Sequence, residues 1–580
     1  MDQKNSFPGV AEYGLGVPSL KAFDNGHIVL GKKVPSSSLD EDGYSLYWEG
    51  LLFVGGVPCG TESARAFVRE VKKSGIQRAC GVLKGVFFLL VRENISGASF
   101  ALVDNSGLYH AFCSDRMISN SFLSLVKKEG LRSEDLDIDS VIEFLHFGYI
   151  YFNRTFFGPI RKLESDRIYH VPDGSDKVRV LKKSIPSIDE PIANENGGFL
   201  GYMESVSGSL KGSRVSIDLT GGIDSRLLGV VLNYFGLEFE ACISGIDACE
   251  DIGISEKVAR TIRSPWHWLR HWPEGLESDL QDIFLATEGL QDFLTYHRLF
   301  QMNQSRLGRG IEVMLSGAGG ELYKDFWWLQ DFPFYSRKSP DLEKLISYRI
   351  MPVEPDHKLL APGPAERSRA LRRELASSLG KFVLGTNTQT YDNIYFHYKV
   401  KEVAGRFLTS HSSFLKCFAP YLDPEAVRIG FNLPRRKRFF SYFHRTLITG
   451  LNPSAAALPT TEGGISVSSK PACMAGDIYK YAKDKLKRLS IKIAQHSNRA
   501  AVQRGPDHPE LFGLARRADR TRVSLELLKE KGILNKSLAL EEVKDRYLGR
   551  MLSLHFLMQY ADSDVKAVSA PRKSLPVRLA

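Results

Sequence analysis

The string Thr220-Gly221-Gly222-Ile223-Asp224-Ser225 has the residue types and spacing best suited to chemistry. It follows the apolar run Val215-Ser216-Ile217-Asp218-Leu219 and opens a longer one ending at Leu232, so it reads as a turn between a strand and a helix. Two adjacent glycines let a ligand come close to the backbone. Amides at a helix N-terminus favour an anionic group. Thr220 and Ser225 bring hydroxyls to the same place. Asp224 would repel a bare phosphate, but its carboxylate suits a Mg2+ ion that in turn holds a pyrophosphate. The string is not a Walker A loop, which requires G-x-x-x-x-G-K-[ST]. The plain alternative is a helix start, with Asp224 as partner of the helix dipole.

Two later segments extend this pattern. Val313-Met314-Leu315 leads into Ser316-Gly317-Ala318-Gly319-Gly320-Glu321-Leu322-Tyr323, and Ala419-Pro420-Tyr421-Leu422-Asp423 follows with Glu402 upstream of it. The first string resembles the S-G-G-x-D-S pyrophosphate loop of the ATP-pyrophosphatase group. The second resembles the L-S-G-E-G-x-D-E-L-F loop of the asparagine synthetase family, and the third is similar to that family's V-P-F-L-D. The N-terminal region resembles the family's glutaminase domain. Its matching segments are Gly85-Val86-Phe87-Phe88-Leu89, Asp104-Asn105-Ser106-Gly107-Leu108-Tyr109-His110, and Arg154 to Leu163.

The resemblance implies an ATP-dependent ligase. It would adenylate a carboxylate, release pyrophosphate, and pass the acyl group to ammonia or an amine. The acid could be a small molecule, a peptide or a sugar acid. Thr220, Gly221, Gly222, Asp224, Ser225, Ser316 and Gly317 would hold ATP. Ser244 and Gly245 end the strand that this family uses to hold adenosine. Asp224 and Glu321 would carry Mg2+, although Ala318 stands where the family has an acidic residue. Glu402 would accept the amine proton. The family's lysine in R-x-K-x-x-F has no match in Leu458-Pro459-Thr460-Thr461-Glu462-Gly463-Gly464-Ile465, which leaves Lys470 as its substitute. Glutamine-dependent members use a cysteine at position two as nucleophile, and here that position is Asp2, so the glutaminase is read as inactive. The same resemblance covers a β-lactam- or lasso-peptide-forming cyclase. A catalytically inactive ATP-binding or regulatory homologue is a further alternative.

Positioning these groups requires an α/β fold. An N-terminal Ntn-hydrolase-like β-rich sandwich, residues 1–180, precedes a parallel-sheet nucleotide-binding synthetase domain, 195–475. A helical C-terminal part, 476–580, follows. From Ile28 to Tyr109 short apolar strands alternate with Gly, Ser and Asp turns, with one helix from Glu62 to Ser74. A second helix is expected around Asp139 to His146, and a linker around Pro186 to Gly198. Asp251 falls where the resembled family often has Asp before a helix, and a helix cap explains it equally well. Trp266-His267-Trp268-Leu269-Arg270-His271-Trp272 alternates like a half-buried strand, which argues against a metal pair at His267 and His271. The basic run Arg435-Arg436-Lys437-Arg438 could meet an acidic substrate or a nucleic acid, and a solvated helix end is its plainer reading. Tyr481 to Arg488 reads as a solvated helix face. Tyr547 to Leu557 reads as an amphipathic helix docked on the synthetase domain, and the tail after Lys566 as disordered.

Composition limits the rest. The 580 residues are 43% hydrophobic and 25% charged, which are globular proportions. A net charge of +10 permits a polyanionic partner such as ATP, and nucleic acid is not required. The 7 cysteines show no CxxC pair, so a reduced, cytoplasmic protein is expected. No apolar run suits membrane insertion and the start lacks a signal-peptide pattern. A homodimer is left open.

Overall fold

The computed structural model describes residues 27–31, 35–171, 178–188, 190, 194–245, 249–324, 340–346, 350, 356, 358–461, 466–473, 475, 479 and 509–564. The chain is α/β. Its first part is built on six strands, β1 (Ser36–Glu41), β2 (Tyr44–Val54), β3 (Leu83–Glu93), β4 (Ser99–Val103), β5 (Arg167–Val171) and β6 (Arg179–Lys182). They pair antiparallel in sequence order. Side chains alternate across the pleat, and both faces are covered. Leu46, Trp48, Leu52, Phe87, Leu89 and Val91 lie with helix α1 (Thr61–Ser74) on one side. Tyr47, Leu51, Phe53, Val86, Phe88 and Leu90 face the main core on the other. This two-sided burial is why Val86 to Val91 is an unbroken apolar run. A small second sheet pairs Ile28–Val29, Ile118–Ser119, Phe112–Cys113 and Arg161–Lys162.

The region expected to be a linker ends sooner than predicted. Helix α2 (Glu195–Leu210) begins inside it, because the Asn194 side chain accepts the Gly197 N–H and caps the helix. Then follow β7 (Val215–Asp218), helix α3 (Ile223–Tyr234), β8 (Phe239–Gly245), helix α4 (Glu250–Thr261), β9 (Trp266–Arg270), helix α5 (Phe293–Gly308), β10 (Val313–Leu315) and β11 (Lys416–Phe418). These five strands are parallel, in the order β9-β8-β7-β10-β11. The order reverses between β7 and β10. Crossovers leave that point in opposite directions, which opens a crevice at the carboxyl ends of the two strands.

Helices α6 (Asn387–Ile394) and α7 (Lys401–His411) are joined end to end by a π-helical turn, Tyr395–Val400. Helix α8 (Tyr442–Leu451) packs on α3. The last described helix, α9 (Asp545–Asp562), buries Tyr547, Leu548, Met551, Leu552, Leu554, Phe556, Leu557 and Met558 on several faces. The expected amphipathic helix is therefore a core helix. It packs on α5 and on Ile138–Phe147 of the N-terminal part. Arg550 donates to Leu145 O at 2.7 Å and pairs with Asp292 at 3.3 Å. Lys127 binds the helix end through Ser563 O at 2.6 Å. Among the described residues no helix is long and apolar enough to cross a membrane. The segment Tyr481 to Arg488 and the tail after Lys566 lie outside the described residues.

The two sheets are locked together. The Phe53 and Phe418 rings meet edge to face at 5.4 Å. Lys84 pairs with Asp423 at 3.5 Å and Glu425 at 2.5 Å. Phe418 is fully buried, so Phe418→Ala should cost about 3–5 kcal/mol in urea unfolding. A loss under about 1 kcal/mol would show that this contact does not join the sheets.

Candidate functional site

The turn after β7 is held by its own polar groups. Thr220 N–H donates to Ser225 Oγ at 3.0 Å, and the two hydroxyl oxygens are 3.0 Å apart. Gly222 N–H donates to Thr220 Oγ1 at 3.1 Å. Gly221 N–H donates to Asp251 Oδ1 at 2.7 Å. Asp251 is thus no cap: Cys249 precedes α4, and Asp251 sits in its first turn and clamps the loop. On the other side, Thr460 Oγ1 donates to Gly221 O at 2.9 Å and Thr461 N–H at 3.3 Å. Buried Arg226 donates to Leu458 O at 2.8 Å and to Pro459 O at 2.5 Å. The segment from Leu458 therefore lies on the loop, while 462–465 lie outside the described residues.

The turn after β10 meets the first one at the strand-order reversal. Ser316 N–H donates to Phe418 O at 2.9 Å and so continues the sheet edge. A Cβ on Gly317 would stand 3.1 Å from the Ser225 backbone, and one on Gly320 would stand 2.5 Å from Asp224 Cγ. A side chain at either position would force its neighbour to shift. Ser244 and Gly245 end β8 at the same edge of the sheet, one strand over, where Gly245 O accepts the Trp268 indole N–H at 3.1 Å. Trp266 to Arg270 is a strand, as its alternation predicted.

Asp224 is the electrostatic centre. Lys324 Nζ lies 2.8 Å from its Oδ2, and His444 Nε2 lies 3.0 Å from its Oδ1. The imidazole is off the line of a hydrogen bond, so Asp224 Oδ1 is a buried oxygen without one. Tyr421, from the Pro-Tyr-Leu-Asp segment, donates its hydroxyl to Asp224 O at 3.0 Å. Burial would raise the Asp224 pKa, but Lys324 and His444 outweigh it and hold the group well below its ordinary value. Glu321 goes the other way. Burial and then the charge of Asp224 push it up, against Lys324. Its Oε2 accepts the Gly319 N–H at 3.2 Å, and Tyr395, the first residue of the π turn, hydrogen-bonds it.

These residues fit a Mg2+ ion that arrives with a nucleotide. Such an ion takes one or two carboxylates and completes its shell with phosphate and water. Asp224 offers an oxygen without a hydrogen bond and Glu321 a second carboxylate. Among the described residues no three His, Cys, Asp or Glu are grouped to hold a metal alone.

The remaining expected residues stand elsewhere. Glu402 is bonded to Lys162 in a second buried cluster with Arg406, around a cavity of about 20 Å3, room for a single water. Its ionic neighbours are Lys162, Arg406 and Lys401, whereas those of Glu321 are Asp224 and Lys324. Lys470 is exposed, and its backbone N–H bonds Ser468 Oγ at 3.3 Å. The cation at Asp224 is Lys324. Sequence reasoning missed it because a lone lysine after the second loop carries no signal. It missed His444 because a lone histidine in a helix carries no signal. The basic run is a solvated helix end only in part, at exposed Arg436. Arg438 is buried in a two-pronged pair with Asp392, at 2.6 and 3.0 Å, and Lys437 pairs with Glu195 at 3.1 Å. No protein-family model matches the chain, and no curated protein matches it.

Two outcomes test this geometry. Gly320→Ala should cost about 1–3 kcal/mol, the scale of overpacking, read by urea unfolding. The second follows from the sign of the Asp224 shift. A carboxyl whose folded pKa lies below its ordinary 3.8 adds stability that is complete above that value and lost as pH falls through the folded pKa. The stability difference between wild type and Asp224→Asn should therefore be constant near neutrality and shrink below about pH 4. A difference that does not change down to about pH 3 would refute the pairing.

Proposed function

We propose that this chain is an ATP-dependent carbon–nitrogen ligase of the asparagine synthetase family, with an N-terminal Ntn-hydrolase-like domain that has lost its glutaminase. The observation that carries the reading is the meeting of the two glycine turns at the strand-order reversal, where Thr220, Ser225, Asp224 and Glu321 converge. Ligands of open parallel sheets bind at such a point. The hydroxyls and the N-terminus of α3 suit the pyrophosphate of ATP. Asp224 and Glu321 would hold Mg2+, which when bound neutralises phosphate charge. Lys324 takes the place of the family's lysine as the cation beside the leaving pyrophosphate.

In this reading a substrate carboxylate oxygen bonds the α-phosphorus as pyrophosphate leaves. Ammonia or an amine then bonds the acyl carbon, and AMP leaves. Glu402 can accept the amine proton only when Lys162 releases it, so the second step calls for that pair to open.

One observation favours a second reading, an inactive ATP-binding homologue. The amides of Thr220, Gly221 and Gly222 all donate within the protein, and Asp224 already has a cation. Pyrophosphate exchange separates the two. Purified protein with Mg·ATP, labelled pyrophosphate and a panel of acids, aspartate with ammonia included, should exchange label into ATP with one acid. Asp224→Asn should lower that rate by roughly 100-fold, the scale of losing one preorganised electrostatic contact. ATP binding without exchange for any acid would replace the ligase with the second reading.

A further inference from the structure

One ammonium serves both acids of the centre. Lys324 Nζ lies 2.8 Å from Asp224 Oδ2, and its charge acts on Glu321 as well. The side chain reaches them because Lys324 directly follows the short helical turn Gly320–Tyr323, where its N–H donates to Glu321 O at 3.3 Å. The two carboxylates also act on each other, so the cation between them offsets a mutual repulsion.

The two basic neighbours of Asp224 differ in freedom. His444 is wholly buried, with the rings of Tyr323, Tyr421 and Phe443 centred 6.1 to 6.3 Å from its own. Lys324 is anchored at its backbone. Arg438 Nη2 donates to Lys324 O at 3.3 Å, and two bonds to Asp392 hold Arg438 in turn. Beyond that anchor a flexible four-carbon stem can swing the ammonium while the loop stays in place. Its side chain is 10% exposed, that of His444 not at all. Of the two, Lys324 is the neighbour that can yield.

A divalent ion that comes alone to Asp224 meets this ammonium at the same carboxylate, and the two cations repel. The ion must also strip a buried charge of its partner, which is costly. A nucleotide changes both terms, because its phosphate oxygens accept the ammonium and offset the charge of the metal. We propose that Lys324 is a built-in counter-cation that turns away a bare divalent ion and admits one only together with a nucleotide phosphate, so that metal and nucleotide bind cooperatively. This rests on the reading of Asp224 and Glu321 as the metal carboxylates of an ATP site, and not on the ligase chemistry. The coupling is reciprocal: the metal strengthens nucleotide binding by the factor by which nucleotide strengthens metal binding. Removing the charge of Lys324 frees two carboxylates for the metal and takes a partner from the phosphate. One substitution should therefore move two affinities in opposite directions.

Mn2+ is the probe for the metal alone, its binding to the full chain read by loss of the free-ion paramagnetic resonance signal without nucleotide. Calorimetry reads ATP, once in EDTA and once in excess Mg2+. Wild type should hold Mn2+ weakly and bind ATP at least about tenfold more tightly with Mg2+ than in EDTA. Lys324→Met should tighten Mn2+ by about tenfold and weaken ATP in EDTA by about tenfold, the worth of one charge-assisted contact. Lys324→Arg keeps the charge and should leave Mn2+ weak. The gain should vanish when Asp224→Asn is added to Lys324→Met, which ties it to this centre. A folding defect removes sites, so a gain in metal affinity reads Lys324 itself. Mn2+ affinity unchanged or weakened by Lys324→Met, a gain that survives Asp224→Asn, or ATP affinity equal with and without Mg2+ overturns the proposal. The expected shifts without pyrophosphate exchange for any acid would leave the role of Lys324 standing and remove the ligase. Exchange together with an unshifted Lys324→Met would do the reverse.

Discussion

The parallel pairing of Val215–Ile217 with Val313–Leu315 sets the rest of the centre in place. Neighbouring strands run less than about 5 Å apart, so whatever leaves their carboxyl ends must share one small space. One strand delivers Thr220 to Ser225 and the other Ser316 to Glu321. The contact is so close that a methyl group at Gly320 would displace Asp224, and one at Gly317 would press on the Ser225 backbone. Helix α3 then begins where the turns meet, and α8, packed on α3, brings His444 to the same carboxylate. The clamps at Asp251, Thr460 and Arg226 hold the first turn in that place from outside the sheet.

Buried charge follows from this crowding. An ion pair inside a protein recovers its desolvation only with good partners, so it is a poor device for stability alone. Two of the buried pairs among the described residues are Asp224 with Lys324 and Glu402 with Lys162. The π-helical turn lies between them on one continuous helix, with Tyr395 bonded to Glu321 at its start and Glu402 just past its end. Seven residues of helix span roughly 10 Å, so the two groupings are separate but rigidly connected. Turns of this kind are costly and concentrate at functional positions.

The sequence was most legible where local chemistry decides structure. The helix from Thr61 to Ser74 ends at Gly75, and the Trp266 to Arg270 alternation is a strand, both close to expectation. The two glycine turns were visible because strand, glycines and hydroxyls are adjacent in the chain. What was hidden depends on partners distant in sequence. Asp251 looks like a cap until the fold lays it on Gly221. Arg438 looks solvated until Asp392 covers it. Lys324 and His444 are ordinary by neighbourhood and gain meaning only beside Asp224. The burial of α9 on several faces was missed because its apolar residues interleave with Arg546, Arg550 and Gln559, and the pockets those residues reach are made by other segments.

The wedge formed by α9 has a consequence for how the chain folds. Far along the chain from both, that helix sits between the N-terminal part and α5. Domains usually complete themselves as they emerge, N-terminal first. Here the earlier segments expose the surfaces meant for α9 until it arrives, and contacts of such long sequence separation close slowly. Removing α9 would thus leave apolar faces of both parts open to water at once.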